Sequence, residues 1–391
     1  MLHFLHRLLE LGLHAERRFD PFFRPLVDRP LRMSLTRFFN WTINLTRDRD
    51  VPPIAGERIA PDEDISLDAI IAEMQHHLDL DFTPGHYERA GNTKTHGLVH
   101  GIFTVLPDLP AHVRHGIFAT ERSFPAWIRF SNPGPHVEPD IDDVGFGSMS
   151  VKLMDVPGAK LMEDERHTQD LTSVTVITFP TPDTRENAHL QYWSRREMAV
   201  WYFLNFKRPH VRDFIMQALW NRTLANPLAN DYFSCTPYLL GEGQAMQYSF
   251  HPIGKIDTRI PRLPLRPRDN YLRDNLAASL RAGDARFEMR VRLQQDPFLQ
   301  PIEQGAVLWD PAKTPYIPVA QIIIPAQEFQ SAQQFAFARQ LTWNPWHCLA
   351  EHRPLGNQNR ARRRLYLEMS RYRQGKNGEM HVEPTGAERF G

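Results

Sequence analysis

Three residues near the end of the chain are spaced for iron chemistry. Arg362, Tyr366 and Arg373 stand at offsets of 0, 4 and 11. At about 100° per residue of an α-helix they fall within about 40° of one another on one face. A free phenol has a pKa of about 10 and ligates poorly at neutral pH unless something favours its anion; ferric iron and a guanidinium one turn away do that together. The surrounding run, NQNRARRRLYLEMSRYRQG, is strongly helical, with Gly375 as its stop. Taken alone, the same pattern describes a solvated basic face with one half-buried ring, so the rest of the chain has to decide.

A second group lies in NTKTHGLVHGIFTV, where His96 and His100 precede a β-branched run. A histidine titrates near neutral pH and suits a general acid or base. The same pair has the H-x-x-x-H spacing that binds zinc on a helix. Gly97 and Gly101 and the β-branched run argue against a helix, however, and no Glu follows the first His as a zinc protease requires.

The elements that would position these residues are readable in outline. Residues 1–17 place Leu2, Leu5, Leu9 and Leu13 on one helical stripe with basic residues interspersed. Such a stripe fits a helix lying on a membrane surface, or an arm packed on its own domain or on a neighbouring subunit. Residues 18–65, rich in Pro, Arg and Asp without sustained period, read as an extended arm leading into a helix near 66–79. Strands are expected at VHGIFTVL, AWIRFS, SMSVKLM and SVTVITF, helices across HLQYWSRREMAVWYFLNF and RPHVRDFIMQALWNR, and strands again at AMQYSFH, RFEMRVRLQ and PVAQIII. Seven or eight strands suit a closed barrel.

Composition removes several classes of function. With 46 Lys+Arg against 46 Asp+Glu the formal charge is zero, so no global field collects nucleic acid. Two cysteines, Cys235 and Cys348, exclude a disulfide framework and every four-cysteine metal pattern; two free buried thiols or one disulfide remain. The N-terminal apolar residues are broken by His3, His6, Arg7 and Glu10 before a signal-peptide core forms, and no run approaches the roughly 18–20 apolar residues that span a bilayer. The expected location is cytoplasmic, with membrane contact through residues 1–17 and packing of that arm as the two alternatives left open.

Taken in order, these segments resemble the catalase-related haem protein superfamily, especially its shorter bacterial and allene-oxide-synthase-like members. RRRLYLEMSRYR matches that family's proximal signature, PYIPVAQIIIPAQEFQSAQQFAF the stretch from the last barrel strand, AWIRFSNPGP its VRFS segment, DVGFGSMSVKL the following strand, and DYFSCTPYLLGEGQAMQYSFHP the later strand pair. The resemblance covers roughly residues 90–375. It implies an α+β fold: an antiparallel barrel of about eight strands with an extended N-terminal arm (1–80), then the haem-binding barrel and its helical C-terminal segment (81–391).

The resemblance further implies haem b with Tyr366 on iron, Arg362 tuning it, Arg373 and Arg129 on propionates, and Phe179 against the porphyrin. Thr95–His96 is similar to the Thr-His pair of the allene-oxide-synthase-like members, which implies His96 as distal base with Ser131 as its partner. An alternative register puts Asn92 or Thr93 in that place. The sequence departs from catalases at the distal asparagine: DLTSVTVITFP has none, leaving Ser173 or Thr175 as hydroxyl partner. The expectation is therefore a peroxidase, or an enzyme of organic or lipid hydroperoxides, rather than a fast catalase acting on hydrogen peroxide. The alternative is a non-catalytic haem sensor or carrier, and in either case the arm suits a homo-oligomer.

Overall fold

The strands of the core close on themselves. A computed structural model describes residues 2–132 and 134–390. Strands β1 (Thr95–Val105), β2 (Ser123–Ser131), β3 (Ser148–Leu153) and β4 (Gln169–Val174) form an antiparallel meander. The short β5 (Tyr232–Phe233) and β6 (Tyr238–Leu239) both pair with β7 (Ala245–Ile253), which continues into β8 (Ala285–Leu293) and β9 (Ile317–Ile324). Pairing of β4 with β5 on one side and of β9 with β1 on the other shuts an eight-stranded barrel, with β6 as an added rung. Its interior is filled by alternate residues such as Val99, Phe103, Phe130, Val151, Phe250, Phe287 and Ile322, so it is a packed core rather than a channel.

Nine α-helices surround the barrel among the described residues: α1 (Leu2–Val27), α2 (Met33–Asn44), α3 (Glu63–Asp81), α4 (Thr184–Ser194), α5 (Val200–Leu204), α6 (Val211–Trp220), α7 (Tyr271–Ala282), α8 (Ala332–Gln340) and α9 (Asn357–Asn377). The fold is α+β, as the sequence implies. Among the described residues, no helix is long and apolar enough to cross a membrane.

Three local expectations are corrected. Residues 18–44 are mostly helical, although α1 contains Pro21 and Pro25. Pro21 offers no N–H to the Arg17 carbonyl, and Thr223 Oγ1 donates to that carbonyl instead at 2.6 Å, so a tertiary contact supplies what the local sequence lacks. Pro30 lies in a π-helical turn, Asp28–Arg32, that joins α1 to α2. The strand read through Phe179 ends at Val174, because Val176 and Ile177 turn away into a second cluster with Met216, Trp220 and Leu308. The last helix runs through Gly375 and stops at Gly378, whose φ of 66° supplies the left-handed cap.

Candidate functional site

A cavity of about 270 Å³ lies between α9 and the barrel. From α9 it receives Arg362, Leu365, Tyr366, Met369, Ser370 and Arg373, the face that the helical spacing requires. From β2, β3 and β4 come Arg129, Ser148, Ser150, Thr172, Ser173 and Val174, and from the segment before β1 come Arg89 and Asn92. Phe179, beyond the end of β4, is in the wall as well. Five of the residues singled out from sequence, Arg129, Phe179, Arg362, Tyr366 and Arg373, thus meet around one space.

Arg362 lies 5.9 Å from the Tyr366 ring centre and 5.4 Å from that of Phe179. Its Nη1 donates to Asn359 Oδ1 at 2.9 Å and to Thr236 Oγ1 at 3.1 Å, which fix the guanidinium one turn from the phenol. Burial alone pulls its pKa down, but the phenols of Tyr366, Tyr238 and Tyr248 carry it above the ordinary value. The cation beside Tyr366 is therefore permanent. Burial pushes the other candidate anionic donor in the wall, the Cys235 thiol, up to about 12, and its Sγ donates to the Val176 carbonyl. Among the described residues no histidine is in the wall, which leaves Tyr366 as the wall's oxygen donor of the kind that can bind a hard ferric ion.

The opposite requirement, charge for an anionic ligand, is met in excess. Burial is the main cause that lowers all three: Arg89, beside the charges of Arg129 and Arg373, falls well below its usual value, Arg129 falls to about 9 with Glu88 opposing and Arg373 adding to the fall, and Arg373 falls to about 10 although Glu379 and Glu88 oppose it. For Arg373 the like charge is that of Arg339. None of the three forms an ion pair with a carboxylate among the described residues; instead they bond to neutral groups. Arg129 donates to Thr95 Oγ1, Ser131 Oγ and the Asn92 carbonyl, Arg89 to the Ala338 and Leu341 carbonyls, and Arg373 to the Arg339 carbonyl. Buried charge without a counterion is costly. Four buried polar atoms of wall residues also lack any hydrogen-bond partner: Arg89 Nη1, Asn92 Oδ1, Thr172 Oγ1 and Trp343 Nε1. Orphans concentrated in one wall mark a place for a polar ligand.

Ser173, the alternative hydroxyl partner, also lines the wall, whereas Thr175 and the remaining candidates other than Asn92 do not. Thr95 and Ser131 are not in the wall; they orient Arg129. His96 is not brought to the cavity either. Pairing of β1 with β2 jumps from Thr95–Ser131 to Gly97–Phe130, leaving His96 as the extra residue of a bulge, and a bulge re-aims its side chain. His96 Nε2 meets Asn132 Oδ1 at 2.7 Å, and its Nδ1 lies 3.8 Å from Asp140. Burial depresses its pKa to about 4 in spite of the Asp140 charge. Asn92, named from sequence only as an alternative, is the residue of this segment whose unpartnered amide oxygen lies at the wall, with a backbone φ of 54°. Arg89 was missed altogether. Its signal was positional, a lone Arg three residues before Asn92, and without the tertiary neighbours it looked like any surface charge.

This barrel with its C-terminal helix is the catalase fold. The chain superposes on a fungal catalase with a TM-score of 0.60 at 15% identity, covering 84% of this chain and 67% of that one. Catalase A from Saccharomyces cerevisiae gives 0.58 at 14% identity over 84% and 68%, and a bacterial catalase 0.52 at 15% over 86% and 67%. No protein-family model and no curated protein matches the sequence.

Proposed function

We propose that the cavity holds haem b, with the Tyr366 phenolate on ferric iron, and that the protein is an oxidoreductase whose acceptor is an organic or lipid hydroperoxide. The observation that carries this reading is the pairing, in one wall, of a tyrosine beside Arg362 with three buried guanidiniums that form no contact ion pair among the described residues, the charges of Glu88 and Glu379 acting only from further off. A porphyrin's two propionates have the charge that Arg89, Arg129 and Arg373 lack. Phe179, Leu365 and Met369 offer apolar surface to the ring.

Bound haem supplies the redox chemistry that breaks an O–O bond. The chain's own part is to hold and orient. Arg362 keeps a positive charge beside the Tyr366 ring. The Asn92 amide and the Thr172 hydroxyl can hydrogen-bond an oxygen of the substrate, yet neither is a base near neutral pH. Dismutation of hydrogen peroxide requires repeated proton transfer, and with His96 held by Asn132 the wall provides no group for it. An organic hydroperoxide fits better, since Met74, Phe146, Val174 and Val176 give the wall apolar stretches. The exposed apolar side chains of the arm, Phe4, Leu8 and Leu11 among them, support contact between residues 1–17 and a lipid surface, where such a substrate is met.

The placement of His96 also favours a second reading, a haem carrier or sensor without turnover. Titration of the protein with haemin, followed at the Soret band, tests haem binding; a colourless protein that takes up no haemin overturns both readings. Rates with a fatty-acid hydroperoxide and with hydrogen peroxide then separate them, because a carrier reacts with neither.

A further inference from the structure

We infer that His77, Asp81 and His136 form a binding site for a divalent transition metal of the zinc class, away from the cavity and independent of haem. His77 and Asp81 stand four residues apart in the last turn of α3 and share one face of it. The loop between β2 and β3 brings His136 over that face. One donor atom from each residue lies within 4.8 Å of the others. Asp81 Oδ2 is 3.0 Å from His77 Nε2 and 3.0 Å from His136 Nδ1, and the imidazole centres are 4.9 Å apart at 59°.

Those contacts are short but not explained by hydrogen bonding. His77 Nε2 is buried and has no hydrogen-bond partner, although the carboxylate oxygen is at hydrogen-bond distance. The nitrogen is beside the oxygen without being aimed at it. Ligands on one ion behave that way: metal–nitrogen bonds of about 2.0–2.1 Å in a tetrahedron leave neighbouring donor atoms about 3.3 Å apart while their axes converge on the ion. Two imidazoles and one carboxylate are a donor set for zinc, with the fourth position left to water.

A comparison within the molecule sharpens the point. Glu165, Asp170 and His347 also bring three donor atoms together, but there the Lys152 ammonium sits among them, bonded to Glu165 and 2.7 Å from Asp170. That cluster already contains its cation. At His77 the nearby guanidinium, Arg195, is paired with Glu73, while the charge of Glu197 adds to the negative field at the ring. The side chains of Asp81 and His136 remain 26% and 31% exposed, so an ion in solution can reach them. Bound there, it would tie the end of α3 to the loop that follows β2, two segments that supply Met74 and Phe146 to the cavity.

The test uses the full-length protein, free of tags, stripped with chelator and titrated with Zn²⁺ against a competing indicator. The expected result is one Zn²⁺ per chain with a Kd of about 1 µM or tighter, and a Co²⁺ adduct with the strong visible bands of a tetrahedral site. His136→Ala, on a loop, should weaken binding at least about tenfold and lose those bands, while His76→Ala, an exposed neighbour, should bind as the wild type does. Circular dichroism of stripped His136→Ala should match that of the stripped wild type; if it does not, Asp81→Asn replaces it in the comparison. No stoichiometric binding at about 10 µM Zn²⁺, or equal binding by wild type and both ligand variants, overturns the assignment. Haem content does not enter the readout, so the outcome is separate from the haem reading.

Discussion

His96 Nε2 and Asn132 Oδ1 lie 2.7 Å apart, a contact that makes the ring a donor at Nε2 and leaves Nδ1 without a hydrogen-bond partner. The imidazole therefore serves the packing behind β1, where Lys94 bonds to Asp140 and to the Glu138 and Asp269 carbonyls. His96→Ala should leave peroxide reactivity within about twofold of wild type and cost about 1–3 kcal/mol of stability, the price of an unpaired buried amide. Denaturant unfolding and stopped-flow kinetics check both halves. A tenfold fall in rate with unchanged stability would restore His96 as the base at the cavity.

Tyr366→Phe removes the one phenol in the wall without changing the shape of the ring. Haemin affinity should fall at least about tenfold, about 1.4 kcal/mol, and any remaining Soret band should shift. Arg362→Met should show the same direction with smaller effect, because the phenol stays but the positive charge beside it is gone.

Arg89→Met separates ligand binding from fold stability. Its Nη2 bonds to the Ala338 and Leu341 carbonyls are lost, and so is its repulsion with Arg129 and Arg373. The two effects oppose, so the haem-free protein should unfold within about 1 kcal/mol of wild type, whereas haemin should bind about tenfold more weakly for want of one charge-assisted bond. Haemin titration and urea melts of the two proteins decide it.

Stability should depend on pH through His347 and His96 in opposite senses. Bonds to Asp164 and Asp170, with the Glu165 charge, outweigh burial and raise His347 to about 9. A group raised on folding stabilises fully below its unfolded pKa of about 6.5 and loses that contribution as pH rises through the folded value. Between about pH 6.5 and 9 the protein should lose stability on the order of 1–3 kcal/mol, and His347→Gln should flatten that limb. His96, lowered to about 4 by burial, acts on the acid side: stability present above about pH 6.5 is lost as pH falls toward 4. Urea midpoints across pH 4–9 check the two limbs.

The barrel was legible because its strands carry their own period. AWIRFS, SMSVKLM and AMQYSFH have the short alternating or β-branched character of strands, and they became β2, β3 and β7, which are buried on both faces. The face of α9 was legible for the same reason, since spacing along a helix fixes direction around it. What did not show was anything decided by a partner distant in sequence. Thr223 rescues the proline-broken carbonyl of Arg17; one unpaired residue at Thr95–Gly97 redirects His96; Arg89 acquires meaning only beside Arg129 and Arg373. The helices α7 and α8 also went unread, because their buried sides face the barrel in short stretches such as Leu272, Leu276 and Leu280.

Three like charges held together with little water between them behave as a compressed spring. Only bonds to neutral carbonyls and hydroxyls hold it at contact distance, so the seam where the segment before β1, strand β2 and helix α9 meet should be among the first to open in a freshly made molecule and the last to set. A porphyrin would then act as a late folding partner as much as a reagent, and the abundance of the protein in a cell would follow the supply of that pigment.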